Sequence, residues 1–323
     1  MYDFSVVIPA YENEDALKRA LNSISDQKHQ NIEIIVSDDC SKKANLKKVC
    51  DEFSKQNSKL TVRYFYQEKN LSPTLNTKFI FEKAKGKFIL SLPHDDYLID
   101  KSFFSECNSL INQNKNLTCL IANSYSELSK KKMFEDRNEA WQKVEDIEKF
   151  LINYLQRPPA YSAILVKRET LIQNEYFKFY FNQEDYKKFK YEPDEIMTAS
   201  ILCIFHGETI ISGKVVSVRG TYNDNYSDSD FWRKTYRISV AMPLLKLFYY
   251  FKDKNQNLSK HYLKLAVFRY CFVPLNVQSL FYFKRFDAFF IMIFSRVFYK
   301  IRFYRGVIFL TKKLFDLNGI LKR

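Results

Sequence analysis

The chain has 323 residues, of which 46% are apolar and 27% charged, and it carries a formal net charge of +14. That much apolar material builds one large core or two modest ones and excludes a disordered or fibrous chain. The charge is unevenly placed: residues 1–225 hold 32 basic and 32 acidic side chains, whereas residues 226–323 hold 19 basic and 5 acidic ones.

The first apolar run, Phe4-Ser5-Val6-Val7-Ile8, is short and β-branched and predicts a strand broken by Pro9-Ala10-Tyr11-Glu12-Asn13. Ala16, Leu17, Ala20, Leu21 and Ile24 then recur at helical spacing behind Asn13, a natural N-cap. Ile32-Glu33-Ile34-Ile35-Val36 predicts a buried strand ending at Asp38-Asp39. Leu46, Val49, Cys50 and Phe53 mark one face of a second helix, and Thr61-Val62-Arg63-Tyr64-Phe65-Tyr66 predicts a further strand. Phe88-Ile89-Leu90-Ser91-Leu92 is another buried run, and it ends at Asp95-Asp96, with a helix starting near Lys101. Alternating strands and helices predict parallel βαβ units and a doubly wound sheet.

In such a sheet ligands bind outside the carboxyl ends of the strands, so two acidic pairs at two strand ends can line one pocket. Several carboxylates together either repel one another or hold a hard divalent cation, and the cation is the simpler reading. Each pair taken alone also fits ordinary turn and cap chemistry. The six cysteines, Cys40, Cys50, Cys107, Cys119, Cys203 and Cys271, have no metal-ligand spacing and read as reduced structural thiols. Met1-Tyr2-Asp3 leads straight into the first strand without a signal-peptide pattern, so the expected location is cytoplasmic.

Residues 226–323 contain 25 of the 54 aromatic side chains, interleaved with cations as in Phe298-Tyr299-Lys300-Ile301-Arg302-Phe303-Tyr304-Arg305. The longest uncharged stretch there, Tyr270 to Phe283, is short of the roughly 18 residues that span a bilayer. The segment reads as a basic helical region that lies on an anionic membrane surface. The alternatives are a helical domain that buries its own aromatics and a nucleic-acid surface. No RNA-binding signature or zinc-finger spacing supports the latter, and no nucleic-acid partner is expected.

Three segments, Ser5-Val6-Val7-Ile8-Pro9-Ala10-Tyr11-Glu12-Asn13, Ile34-Ile35-Val36-Ser37-Asp38-Asp39-Cys40-Ser41 and Ala84-Lys85-Gly86-Lys87-Phe88-Ile89-Leu90-Ser91-Leu92-Pro93-His94-Asp95-Asp96, resemble in order and spacing the successive signatures of family-2 glycosyltransferases with the GT-A fold. The resemblance covers roughly the first hundred residues. It implies a Rossmann-like α/β fold, a mostly parallel central sheet flanked by helices, over residues 1–225, with the basic, aromatic-rich helical region at 226–323 appended.

The same resemblance implies a UDP-sugar donor, Mn²⁺ or Mg²⁺, and an inverting transfer to a glycan or lipid-linked glycan acceptor. Asp96 would be the metal ligand, and Asp95 would face the ribose or sugar. Asp39 would accept a hydrogen bond from the base, with Pro9, Tyr11 and Glu12 as the opposite wall and Tyr11 stacking on uracil. The sequence departs from the family in carrying Pro93 where many members have the first acid of a triplet, which implies weaker metal binding or a relative that only binds nucleotide. Lys78 or Lys69 would stand in for a missing basic residue against the diphosphate, joined by Arg219 at the end of a late strand. The general base expected of an inverting enzyme is Asp194, with Glu195 and Asp185 behind it, although Pro193-Asp194-Glu195 also makes a good helix start. Without a Gln-x-x-Arg-Trp motif, the non-processive type is expected.

Overall fold

A computed structural model describes residues 1–133, 137–154, 160–174, 176, 195–220, 243–244 and 246–270. The chain divides into two compact units, Met1–Gln183 with Glu195–Asn225 and Glu184–Asp194 with Tyr226–Arg323.

In the first unit, β1 (Phe4–Ala10), α1 (Glu14–Ser25), β2 (Ile32–Asp38), α2 (Leu46–Gln56), β3 (Thr61–Tyr66), α3 (Pro73–Lys83) and β4 (Phe88–Ser91) alternate. Asn13 caps α1, its side chain accepting the backbone N–H of Ala16 at 3.0 Å, and the five apolar positions read from the sequence are all buried. The helix thus lays one apolar stripe on the sheet. The second helix buries Leu46, Val49, Cys50 and Phe53, the expected face. β1 to β4 form a parallel block in the order β3-β2-β1-β4.

Beyond β4 the sheet changes direction. β5 (Tyr97–Leu98) leads into α4 (Phe103–Gln113), β6 (Leu117–Ser126), two-residue strands β7 (Lys131–Lys132) and β8 (Gln142–Lys143), α5 (Ile147–Tyr154), β9 (Ile164–Lys167), α6 (Arg168–Gln173), α7 (Glu195–His206) and β10 (Glu208–Arg219). Antiparallel β9 joins β4 to β6, and β10 runs parallel to β6 and antiparallel to β5, giving the order β3-β2-β1-β4-β9-β6-β10-β5. A core cluster of Phe4, Phe104, Leu90, Leu120 and Leu165 crosses from the parallel block to this mixed half.

One element differs from the sequence reading. Pro9 does not break β1; the strand continues to Ala10, with Pro9 opposite Ser37 of β2. The Leu92 N–H bonds to the Val7 carbonyl and the His94 N–H to the Pro9 carbonyl at 3.3 Å, so the N–H that proline lacks falls where the pairing with β4 ends at Ser91, while the pairing with β2 runs on. β2 is buried throughout, as the sequence predicts, and it encloses Glu33, a charged residue with no exposure. Its carboxylate accepts from the Ser5 hydroxyl, the Lys85 and Gly86 backbone N–H groups and the Arg63 guanidinium. A buried charge needs such full pairing to persist. A Cβ at Gly86 would lie 2.5 Å from the Phe4 carbonyl carbon, so this approach of the β4 entry to β1 requires glycine.

In the second unit, α8 spans Gln256–Tyr270, and the Phe251 and Tyr262 rings stack with centroids 5.4 Å apart. Among the described residues no helix is long and apolar enough to cross a membrane. The tail beyond Tyr270, including Cys271, lies outside the described residues.

Candidate active site

The carboxyl ends of β2, β1 and β4 are adjacent, and backbone bonds knit the loops that leave them. Asp39 donates its N–H to the Ala10 carbonyl at 2.9 Å, and Leu92 and His94 donate to Val7 and Pro9. The three sequence segments singled out above therefore meet at one rim of the sheet, as the parallel order of the strands requires.

The four acids at this rim have different surroundings. Asp38 belongs to the scaffold: its Oδ1 accepts the Ser41 N–H at 2.8 Å and its Oδ2 the Tyr64 hydroxyl at 2.6 Å. Asp39 is buried, with Oδ1 accepting the Leu71 N–H at 2.6 Å, which ties the loop before α3 to the end of β2. Between them and the next residue the chain turns through Cys40 at φ 68, a left-handed conformation that L side chains rarely adopt. Asp95 is half-buried and Asp96 buried, on the turn between β4 and β5. Burial and the neighbouring Asp95 push the Asp96 carboxyl up to about 7, against the opposing pull of the Ser162 hydroxyl, Arg219 and the Gly220 N–H.

Arg219 and Gly220 arrive here because β5, directly after the acid pair, pairs with the end of β10, Tyr97 opposite Val218. The Gly220 N–H donates to Asp96 Oδ1 at 3.2 Å, and a Cβ on Gly220 would lie 2.1 Å from the Asp95 carbonyl oxygen. Ser162, fully buried in the 3₁₀ turn before β9, bonds to the same carboxylate and sits 3.1 Å from the Ser217 hydroxyl. Sequence reasoning passed over Gly220 and Ser162. The only signal for the first is that a chain with just six glycines places one directly after a strand; Ser162 offers none.

On the other wall, Tyr11 is 47% exposed, and its hydroxyl pKa is raised by burial and then by Glu12, Asp39, Cys40 and Asp38, which puts the ring beside the acids of β2. Glu12, at φ 56, accepts the backbone N–H groups of Lys42, Lys43 and Ala44 at 2.6, 2.9 and 3.0 Å. Burial works against its ionisation, yet these three donors hold the carboxyl below the usual glutamate range. His94 stands between the pairs: burial lowers its pKa, while Asp95 and Asp38 both act to raise it. Lys78 lies on α3 and pairs with Glu82. Glu195 is the first residue of α7, while Asp185 and Asp194 lie outside the described residues.

A divalent cation is compatible with this donor set. Asp95 and Asp96 are consecutive carboxylates on one turn and offer hard oxygen ligands, and a cation beside them would offset the burial and the Asp95 charge that raise the Asp96 pKa. Among the described residues no group of three His, Cys, Asp or Glu side chains could form a full cage. The pair suits a cation of the kind that takes its other ligands from bound phosphates and water.

A Rossmann-like sheet with carboxylates gathered at the ends of β1, β2 and β4 defines the GT-A class of fold. The family model described as glycosyl transferase family 2 matches residues 5–174. The chain belongs to that family of transferases. Among curated relatives, the poly(ribitol-phosphate) beta-N-acetylglucosaminyltransferase TarS of Staphylococcus aureus is 30% identical over 124 residues, 38% of this chain and 21% of that protein. The GalNAc(5)-diNAcBac-PP-undecaprenol beta-1,3-glucosyltransferase of Campylobacter jejuni is 32% identical over 100 residues, 31% of each chain. The aligned region thus spans between about a fifth and a third of these relatives' length. Among solved structures, S. aureus TarS 1-349 in complex with UDP-GlcNAc superposes with a TM-score of 0.58 at 17% identity, covering 93% of this chain and 92% of that one. A mannosyltransferase from Pyrobaculum calidifontis in complex with GDP-Man and Mn²⁺ gives 0.53 at 12%, covering 91% and 87%. Likeness at these identities establishes the fold.

Proposed function

We propose that the protein is an inverting, non-processive glycosyltransferase that moves a sugar from a UDP-sugar to a hydroxyl of a lipid-linked oligosaccharide, lipooligosaccharide or capsule precursor. The observation that carries this reading is the convergence of Asp95, Asp96 and Arg219 where β4, β5 and β10 meet, with Tyr11 and Asp39 on the adjacent loops. A diphosphate needs positive charge and a base needs a stacking face and an acceptor, and both sets are available along one rim.

In this reading Tyr11 and Pro9 wall the uracil and Asp39 accepts its hydrogen bond, while Glu12 keeps the β2 loop in place through its three backbone bonds. Asp96 holds Mn²⁺ or Mg²⁺, Asp95 faces the ribose or sugar, and Arg219 and Lys78 supply cationic charge toward the diphosphate. When bound, the cation neutralises the charge that develops on the departing diphosphate. Asp194, with Glu195 and Asp185 as alternatives, takes the proton from the acceptor hydroxyl, and the start of α7 stabilises an acid placed there. The donor assignment draws on the UDP-GlcNAc held by the TarS structure, and the acceptor class on the polymer and undecaprenol substrates in the relatives' names. The basic, aromatic tail docks the enzyme on the inner face of the cytoplasmic membrane.

The test is UDP release from a panel of UDP-sugars with and without Mn²⁺, comparing the wild type with Asp96→Ala. Loss of turnover by at least about a hundredfold with an unchanged circular dichroism spectrum is expected, in line with removal of a charge-stabilising group. Equal turnover in the variant, or no turnover of any donor by the wild type, refutes the assignment.

A further inference from the structure

The turn that carries Asp95 and Asp96 is tied to the rest of the sheet by an arch of side chains from three elements. Arg19, in the middle of α1, donates from Nη2 to the Asp95 carbonyl oxygen at 2.9 Å. Its guanidinium carbon lies 4.1 Å from the centroid of the Tyr97 ring. On its far side Nη1 faces Glu127 Oε1 at 4.0 Å, and the Tyr97 hydroxyl donates to that same oxygen at 3.1 Å. The Glu127 backbone N–H in turn donates to the Arg219 carbonyl at 3.1 Å. The missing side chain of Gly220 leaves the space: a Cβ there would come within 2.9 Å of Arg19 Nη2 as well as striking the Asp95 carbonyl.

One planar cation therefore touches the acid turn and the aromatic ring that follows it, and it faces the carboxylate of Glu127, the residue whose backbone N–H bonds to the strand bearing Arg219. We propose that Arg19 is a positioning residue: it fixes the Asp95-Asp96 turn against the end of β10, so that the two carboxylates and the Arg219 backbone keep one arrangement before any ligand arrives. This rests on the reading of Asp96 as the cation-holding acid. Lysine cannot do the same work, because an ammonium is a point charge that lacks the flat fork needed to stack on Tyr97 and reach a carbonyl and a carboxylate at once.

The experiment uses the full chain with Arg19→Met, Arg19→Lys and, as a second route should the first lose its fold, Tyr97→Leu. Three quantities are read: apparent Mn²⁺ affinity from binding titrations in the presence of UDP, UDP affinity in EDTA, and backbone hydrogen exchange over residues 94–98 in metal-free protein. The proposal expects Mn²⁺ binding weakened by about 10–100-fold, as is usual when a partner of a metal ligand is removed. It also expects faster exchange over 94–98 in all three variants, UDP affinity in EDTA within about twofold of wild type, and partial recovery of Arg19→Met by added guanidinium ion. Unchanged exchange and unchanged Mn²⁺ binding overturn it, and so does a loss of metal-free UDP binding equal to the loss of Mn²⁺ binding, which marks a general structural role. Asp96→Asn is the control that separates the two readings. If that variant binds Mn²⁺ like the wild type, the site assignment fails, and the exchange data alone then decide whether Arg19 holds the turn.

Discussion

Asp38 and Asp39 are neighbours of the same chemistry, and their partners give them different work. Asp38 is committed on both oxygens to Ser41 and Tyr64, so it fastens the end of β2, while Asp39 spends Oδ1 on the Leu71 N–H. Asp39→Asn keeps an acceptor for Leu71 but turns the other oxygen into a donor. UDP binding measured by calorimetry is therefore expected to weaken by about tenfold, the worth of one good hydrogen bond, with little change in melting temperature. Cys40, between this loop's acids and Ser41, pays for its left-handed φ of 68, and a β-branched side chain there is worse. Cys40→Val is expected to lower stability by about 1–2 kcal/mol in urea titration, whereas Cys40→Gly relieves the same strain and does not.

At the scale of elements, β10 links function to stability. Its end delivers Arg219 and Gly220 to the acids, and its middle carries Lys214, which pairs with Asp100 at 2.7 Å and Glu106 at 2.6 Å, the latter also accepting from the Trp141 indole. Burial resists ionisation of both acids, but the Lys214 ammonium, together with Ser102 at Asp100 and the Trp141 indole at Glu106, outweighs it and holds each below its usual range. A carboxyl depressed in the folded state adds stability above its unfolded pKa and loses it as pH falls through the folded one. Melting temperature is expected to drop on acidification below about pH 4, and Lys214→Met is expected to flatten that limb. An acid limb of unchanged slope in the variant contradicts the assignment. In the parallel block, β1, β2 and β4 are apolar runs and α1 and α2 each show one apolar face, so these elements needed no such pairing to be read from sequence. The mixed half was legible only in part: β9 is four residues long and pairs antiparallel with β4 and β6, whose nearest partners in sequence, Leu90 with Leu165 and Ile121 with Ile164, are 75 and 43 residues apart.

For the whole molecule, the charge asymmetry of the sequence is the feature with the largest consequence. Residues 226–323 carry all of the net positive charge together with almost half the aromatic rings, the combination that favours an anionic, apolar interface. The full chain is expected to sediment with vesicles containing phosphatidylglycerol and a chain ending at Asn225 to stay in solution, with binding weakened by salt. Equal sedimentation of both chains removes the membrane role and leaves the aromatics as the core of their own unit, as Phe251 and Tyr262 already illustrate.

The sequence by itself determined the alternation of β1 to β4 with α1 and α2, the capped start of α1, the family and the acids at the strand ends, because each of these is written in local periodicity or in short contiguous motifs. Only the tertiary structure decided that Asp38 is scaffold and Asp96 is the buried acid, that Glu33 sits charged inside a strand, and that Arg19, Ser162 and Gly220 surround the acid turn. Those assignments depend on partners up to 124 residues apart, as between Asp96 and Gly220, and no local pattern encodes which distant donor a buried oxygen will meet.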